Sequence, residues 1–111
     1  MEQNIEELIQ AFHLTWDLFP EAARIIDRKN EIIAANPKAI EAGFIPGQIC
    51  SKTGSPQSHR GCKKMTALKT GLAQTDQVIP GRIRGWFPVE GYPDLVIHFS
   101  LAVPEKFLQE N

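Results

Sequence analysis

The chain has 111 residues, 42% hydrophobic and 23% charged, with a formal net charge of −1. That length suits one domain with its own core, and a near-neutral, scattered charge argues against a nucleic-acid or anionic-membrane surface. Two cysteines exclude a disulfide framework, and no secretory leader or run of about 20 apolar residues is present, so a cytoplasmic location is expected.

Ile5, Leu8, Ile9, Phe12 and Trp16 recur at helical spacing, with Glu2, Glu6, Glu7 and Asp17 off that stripe. The first element is therefore an amphipathic helix over residues 4–18. Asn4 has the chemistry of its N-cap, Glu7 that of a capping-box partner, and Pro20 marks its end. Residues 22–27 and 31–36, rich in isoleucine, read as two strands joined by a turn at 27–30. Asn36 and Pro37 cap and open a short helix that Gly43 closes.

Residues 44–58 are irregular, with Pro46, Gly47, Gly54 and Pro56. A second helix spans about 60–70, with Met65 and Leu68 as its buried pair and Gly71 as its stop. Arg60, Lys63, Lys64 and Lys69 are expected on its wet face. Strands follow near 74–79, 82–90 and 94–103, with turns at Pro80-Gly81 and at residues 91–94. In the last strand Leu95, Ile97, Phe99, Leu101 and Val103 form an apolar face that must meet the core. Val96, His98, Ser100 and Ala102 form a mixed face, expected to meet a helix or a second subunit, with His98 at an interface or surface. His13 is expected to be exposed. The same alternation predicts Phe87 inward and Trp86 outward, with a bulge at Gly85 or Pro88. Pro104-Glu105 end the strand and start a short helical tail. Strands and helices segregated in this order predict an antiparallel α+β domain, with helices over one sheet face and a pocket between the layers.

The run from Ile25 to Ile40 resembles the opening of a PAS sensory domain: a strand, a turn led by Asp27, a second strand, and the Asn36-Pro37-Lys38-Ala39 helix start. Ile32 stands four residues before Asn36. Gly47, the helix end Ala67-Leu68-Lys69-Thr70-Gly71 and the exit at Pro104-Glu105 extend the likeness over about residues 20–105. Asn30 stands where the family often has glycine, a position asparagine tolerates. The resemblance implies a five-stranded antiparallel sheet with helices over one face. It divides the chain into a flanking helix (1–19), a PAS-like domain (20–105) and a tail (106–111). It also implies a non-catalytic sensory module that binds a small molecule and signals through a homodimer or a partner protein. Ile32, Ala34, Met65, Leu68, Phe87, Ile97 and Phe99 would line its pocket. The flanking helix would dimerise through Ile5, Leu8, Phe12 and Trp16; the other reading is that Phe12 and Trp16 only cover their own sheet.

Cys50, His59 and Cys62 are the sharpest chemical candidates. Some PAS domains carry a cysteine in this loop and a Cys-x-x-Cys at the start of the long helix, and His59-Arg60-Gly61-Cys62 resembles that pair with histidine first. Thiolate and imidazole are good zinc or iron donors, although a structural site wants a fourth ligand. A helix N-terminus with Arg60 and Lys63 nearby would also lower a thiol's pKa. The opposing reading makes both cysteines small buried hydrophobes. Oxygen-sensing PAS domains ligate haem through a histidine close to the position of His59, which makes haem a second cofactor reading. Three functions follow: a small-molecule sensor; a metal, haem or thiol redox sensor on Cys50, His59 and Cys62; and a ligand-free interaction module with a filled core. The flavin-adduct cysteine motif is absent, as are a Ser-His-Asp order, a carboxylate pair, a Walker loop and a dinucleotide fingerprint. An enzyme is not expected.

Overall fold

The computed structural model describes residues 4–53, 59–77 and 79–103. The expected C-terminal tail, the domain limit at 105 and the loop glycine and proline at 54 and 56 lie outside them. Helix α1 (Ile5–Trp16) begins as its cap predicts: Asn4 Oδ1 accepts from the backbone N–H of Glu6 at 3.0 Å and of Glu7 at 3.3 Å. Two of the four free amides of the first turn are thereby satisfied. Near the other end, half-exposed His13 pairs with Asp17 at 2.7 Å. Among the described residues no helix is long and apolar enough to cross a membrane.

Strands β1 (Ala23–Asp27) and β2 (Ile32–Ala35) form the early hairpin. Asp27 Oδ1 accepts from Lys29 N–H and Glu31 N–H, both at 2.9 Å, and Asn30 takes φ +72°. Asparagine thus supplies the left-handed residue that the turn requires. Asn36, wholly buried, caps helix α2 (Pro37–Glu41) through Ala39 N–H at 3.0 Å. The same Oδ1 accepts from Ala23 N–H at 3.0 Å, and Nδ2 donates to the carbonyls of Trp16 and Glu21 at 3.0 and 2.9 Å. One side chain therefore joins the end of α1, the start of β1 and the start of α2.

After a 3-10 turn (Cys50–Lys52) come helix α3 (Lys64–Thr70), β3 (Gln74–Asp76), β4 (Arg82–Val89) and β5 (Tyr92–Ala102). Helix α3 starts later than expected because Cys62 N–H bonds to His59 O in a turn ahead of it. Gly71 closes it with φ +70°. The five strands form one sheet in the order β2-β1-β5-β4-β3, with all pairs antiparallel. Pairing of β1 with β5 merges the early hairpin and the late ribbon into a single layer. The expected bulge falls at Pro88–Val89, where proline cannot donate to the ladder.

The sheet is covered on both faces, which corrects the expected side-chain assignment. Helix α1 buries Phe12 against Ala23, Ile25, Ala34 and Leu95, with Leu8, Ile9, Trp16, Ile97 and Phe99 alongside. Phe87 joins this outer layer, its ring 5.8 Å from that of Trp16. The opposite, inner face carries Ile26, Ile32 and Ala35 under Ala39 and Phe44, and Trp86 and Val96 under Ala67 of α3. Trp86 is therefore inward and Phe87 outward, the reverse of the expectation. The apolar face of β5 packs on α1, and its mixed face is left for the middle of the chain. Phe12 and Trp16 cover their own sheet; Leu14 and Leu18 stand outward, 87% and 98% exposed.

Helix α3 differs in the same way. Lys64 and Ala67 are its buried positions, whereas Met65 is 48% exposed. The Lys64 ammonium donates to the carbonyls of Asp27 at 2.9 Å and Arg28 at 2.7 Å and to Asn30 Oδ1 at 2.5 Å. Those acceptors satisfy the buried cation and leave Met65 turned outward, while Leu68, the other member of the expected pair, stays partly buried against Ala67, Trp86 and Val96.

Gly85 faces Phe99 across β4 and β5, and a Cβ there would overlap the Phe99 ring. That ring cannot swing aside freely, because Trp16, Phe19 and Phe87 surround it at 5.7 to 6.3 Å between centroids. Gly85→Ala is expected to cost about 1–3 kcal/mol, the usual range for overpacking, read as a lower urea midpoint. Adding Phe99→Leu should recover part of that loss. Strictly additive losses in the double variant would show that the two positions do not meet.

Candidate functional site

Two adjoining cavities lie on the inner face, with His98 in the wall of both. The larger, about 560 Å³, is bordered by Ala22, Ala42, Phe44 and Ile79 and by Glu21, Arg24, Lys38, Arg82, Arg84 and Ser100. The smaller, about 280 Å³, is bordered by Ile26, Cys50, His59, Cys62, Lys64, Met65 and Trp86, among others. The long cross-strand register of β4 and β5 builds the shared wall. It sets Trp86 opposite His98 with the rings stacked at 4.7 Å and 6°.

His98 is 5% exposed, which corrects its expected place at the surface. Its Nδ1 lies 2.8 Å from Gly85 O. A carbonyl only accepts, so Nδ1 carries the proton and Nε2 is left as an acceptor. Burial, then the positive charge of Arg24, push the ring's pKa down to about 3, against a smaller raising effect of the Gly85 bond. The imidazole is therefore neutral at physiological pH. Trp86 Nε1 is buried without a hydrogen-bond partner among the described residues.

Three arginines reach the larger cavity. Arg84 makes a forked pair with Asp76, Nε to Oδ1 at 3.0 Å and Nη2 to Oδ2 at 2.9 Å, and both side chains are buried. The register of β3 and β4 sets the two residues directly opposite each other. Arg82 pairs with Glu21 at 3.1 Å and donates Nε–H to Ser100 Oγ at 2.7 Å. Arg24 lies 3.9 Å above the Phe44 ring and directs Nε to Cys50 Sγ at 3.4 Å. No carboxylate pairs with it among the described residues. Lys64 closes the smaller cavity, its pKa lowered by burial and partly restored by the nearby thiols and Asp27.

The expected pocket residues divide. Met65 borders the smaller cavity, and Ile32 lies in the inner-face core beside Cys50. Ala34, Phe87, Ile97 and Phe99 belong to the α1 side and cannot reach either cavity. Leu68 borders a separate hollow with Gly71 and Tyr92. Cys50, His59 and Cys62 do share the smaller cavity. Yet among the described residues no group of three or more His, Cys, Asp or Glu side chains is placed to hold a metal ion. His59 Nε2 is hydrogen-bonded to the Thr53 carbonyl, and Cys50 receives Arg24 Nε–H. Haem does not fit either, because the His59 nitrogen that would ligate iron is engaged. The adjoining 280 Å³ also falls below the roughly 300–1,000 Å³ of ordinary small-ligand pockets. Both thiols are free, Cys50 buried and Cys62 exposed.

No family model and no curated protein matches the sequence. The fold is similar to that of a sensory box sensor histidine kinase from Vibrio cholerae, with a TM-score of 0.62 over 90% of this chain and 92% of that one. The two chains are 14% identical, so the likeness is one of fold. The chain has a PAS-like α+β architecture, a five-stranded antiparallel sheet with few helices.

Proposed function

We propose that the chain is a non-catalytic sensory module of the cytoplasm. It binds a small molecule between the sheet and helices α2 and α3, and a second copy or a partner protein reads the bound state at α1. The observation that carries this reading is the unfilled, polar inner face, with Arg24, His98 and the unpartnered Trp86 indole around the two cavities. A sheet face kept only for stability would be packed with apolar side chains, because buried polar groups weaken it. The likeness of fold to a sensory box supports the same reading, and two free thiols suit a reducing compartment.

The relay has a structural basis. Trp86 and His98 stack on the inner face, while Phe87 and Phe99, next to them on the same strands, meet Trp16 of α1 on the outer face. A ligand that favours one packing of the inner pair biases the outer aromatic cluster, provided its affinity differs between the two packings. Exposed Leu14 and Leu18 then offer α1 an apolar contact for its reader.

Trp86→Phe leaves Trp16 as the sole tryptophan reporter. A small-molecule screen by thermal shift is expected to find ligands that raise Tm by about 5 °C or more near saturation. The same ligands should shift Trp16 emission in the Trp86→Phe protein. A broad screen without a stabiliser would end the binding role. Stabilisers that also raise the Tm of Trp86→Phe, and so still bind it, yet leave its Trp16 emission unchanged would end the relay to α1.

A further inference from the structure

We infer that the larger cavity is the binding site for a small organic monoanion, a monocarboxylate with an apolar body, anchored by the guanidinium of Arg24. This deepens the sensory reading above and rests on it, by naming the ligand's class. Arg24 is 4% exposed and sits in the isoleucine-rich strand β1. A guanidinium cannot shed its proton to escape burial. Its contacts are the Phe44 ring and the Cys50 sulfur, a weak acceptor, and its two terminal nitrogens have no hydrogen-bond partner among the described residues.

The other charges around the cavity are already balanced. Asp76 neutralises Arg84, and Glu21 neutralises Arg82. Lys38 stands at the exposed rim with Glu41 at 3.9 Å. One buried positive charge is left over, at Arg24. Removing a charge from water is expensive unless a counter-charge meets it, and a carboxylate meets a guanidinium through two parallel hydrogen bonds. The size of the excess sets the class: a phosphate monoester, with nearly two charges at neutral pH, would overfill the site.

The remaining lining fixes what surrounds the carboxylate. Ser100 Oγ accepts from Arg82, so its own O–H is free to donate to a ligand oxygen. His98 Nε2 offers an acceptor without a charge. Ala22, Ala42, Phe44 and Ile79 supply an apolar wall.

The test is calorimetric titration of the full chain with straight-chain monocarboxylates from acetate to octanoate and with benzoate. Each acid is compared with its amide, and inorganic phosphate serves as the charge control. At least one acid is expected to bind, with its amide weaker by about thirtyfold or more, the loss typical of removing one partner of a buried charge pair. Phosphate should not compete. Arg24→Met should lose the acid by a similar factor while melting no lower than the unaltered protein, because an apolar side chain replaces an unpaired charge. Retained acid affinity in Arg24→Met would overturn the inference, as would equal binding of acid and amide or tighter binding of phosphate. The acid–amide comparison needs no variant, so it decides even if Arg24→Met does not fold. Silent acids alongside neutral stabilisers would remove the anion site and leave the sensory reading intact; silence of every compound would remove both.

Discussion

Between pH 7 and pH 5 the protein is expected to lose about 2 kcal/mol of stability that a His98→Gln variant retains. His98 stays neutral in the folded chain down to about pH 3, chiefly because burial removes water from the imidazolium, and also because Arg24, Arg84 and His59 face it with positive charge. In the unfolded chain the ring takes a proton near pH 6.5. As the pH falls, the unfolded state therefore binds the proton first, and acid favours unfolding. The contribution of the neutral ring is complete above about pH 6.5 and drains away toward about pH 3, at no more than about 1.4 kcal/mol per pH unit. Stopping at pH 5 keeps ordinary carboxylates, with pKa values near 4, largely outside the comparison. Glutamine retains an amide donor for Gly85 O but has no proton to gain. The measurement is urea unfolding of both proteins at pH 7, 6 and 5. Parallel curves for the two would mean that the ring is solvated in the native state, and with that the polar inner wall would be lost.

The elements of this fold were legible because short-range chemistry fixes them. Asn4, Asp27, Asn30, Asn36-Pro37 and Gly71 each perform the cap or turn role that their side chains allow. The alternation along β5 is equally plain. What alternation cannot say is which helix covers which face. Once both faces are covered, the richer apolar face went to α1, and the middle of the chain received the face bearing His98 and Ser100. The site was hard to see for the same reason. Arg24, Lys64 and His98 are polar, and polar side chains by default go to water. Their burial depends on acceptors and rings distant in sequence: Cys50 and Phe44 for Arg24, the β1–β2 turn for Lys64, Trp86 and Gly85 for His98. One local signal did exist. An arginine between Ala23 and Ile25, in a strand otherwise apolar up to Asp27, is out of place unless something holds it. Cys50, His59 and Cys62 were expected to serve a metal, a haem or a reactive thiol; the three do border one cavity, but spacing could not show that His59 turns its nitrogen to Thr53.

Asn36→Ala is expected to cost about 3–5 kcal/mol, far more than the roughly 1 kcal/mol of an ordinary lost N-cap. The difference lies in what the amide leaves behind. Removing it strands the Ala23 N–H, the Glu21 carbonyl and the Ala39 N–H, and takes one of two donors from the Trp16 carbonyl, which keeps Phe19 N–H at 3.0 Å. Asn36 is wholly buried, so water reaches these groups poorly, and each unsatisfied group costs on the order of 1 kcal/mol or more. Asn36→Asp separates the two halves of the effect. It keeps an oxygen for Ala23 and Ala39 but loses both donors and turns a second oxygen toward two carbonyls. It is therefore expected to remain strongly destabilised, with the damage concentrated at the α1–β1 junction. Urea unfolding gives the magnitudes, and amide hydrogen exchange gives the location. Exchange at Ala23 should quicken in Asn36→Ala, and Trp16 should lose its fixed place against Phe87 and Phe99 in either variant. If Asn36→Ala costs no more than a common cap, then α1 is held by its apolar stripe alone, and the path from the inner face to α1 has no polar anchor at this end.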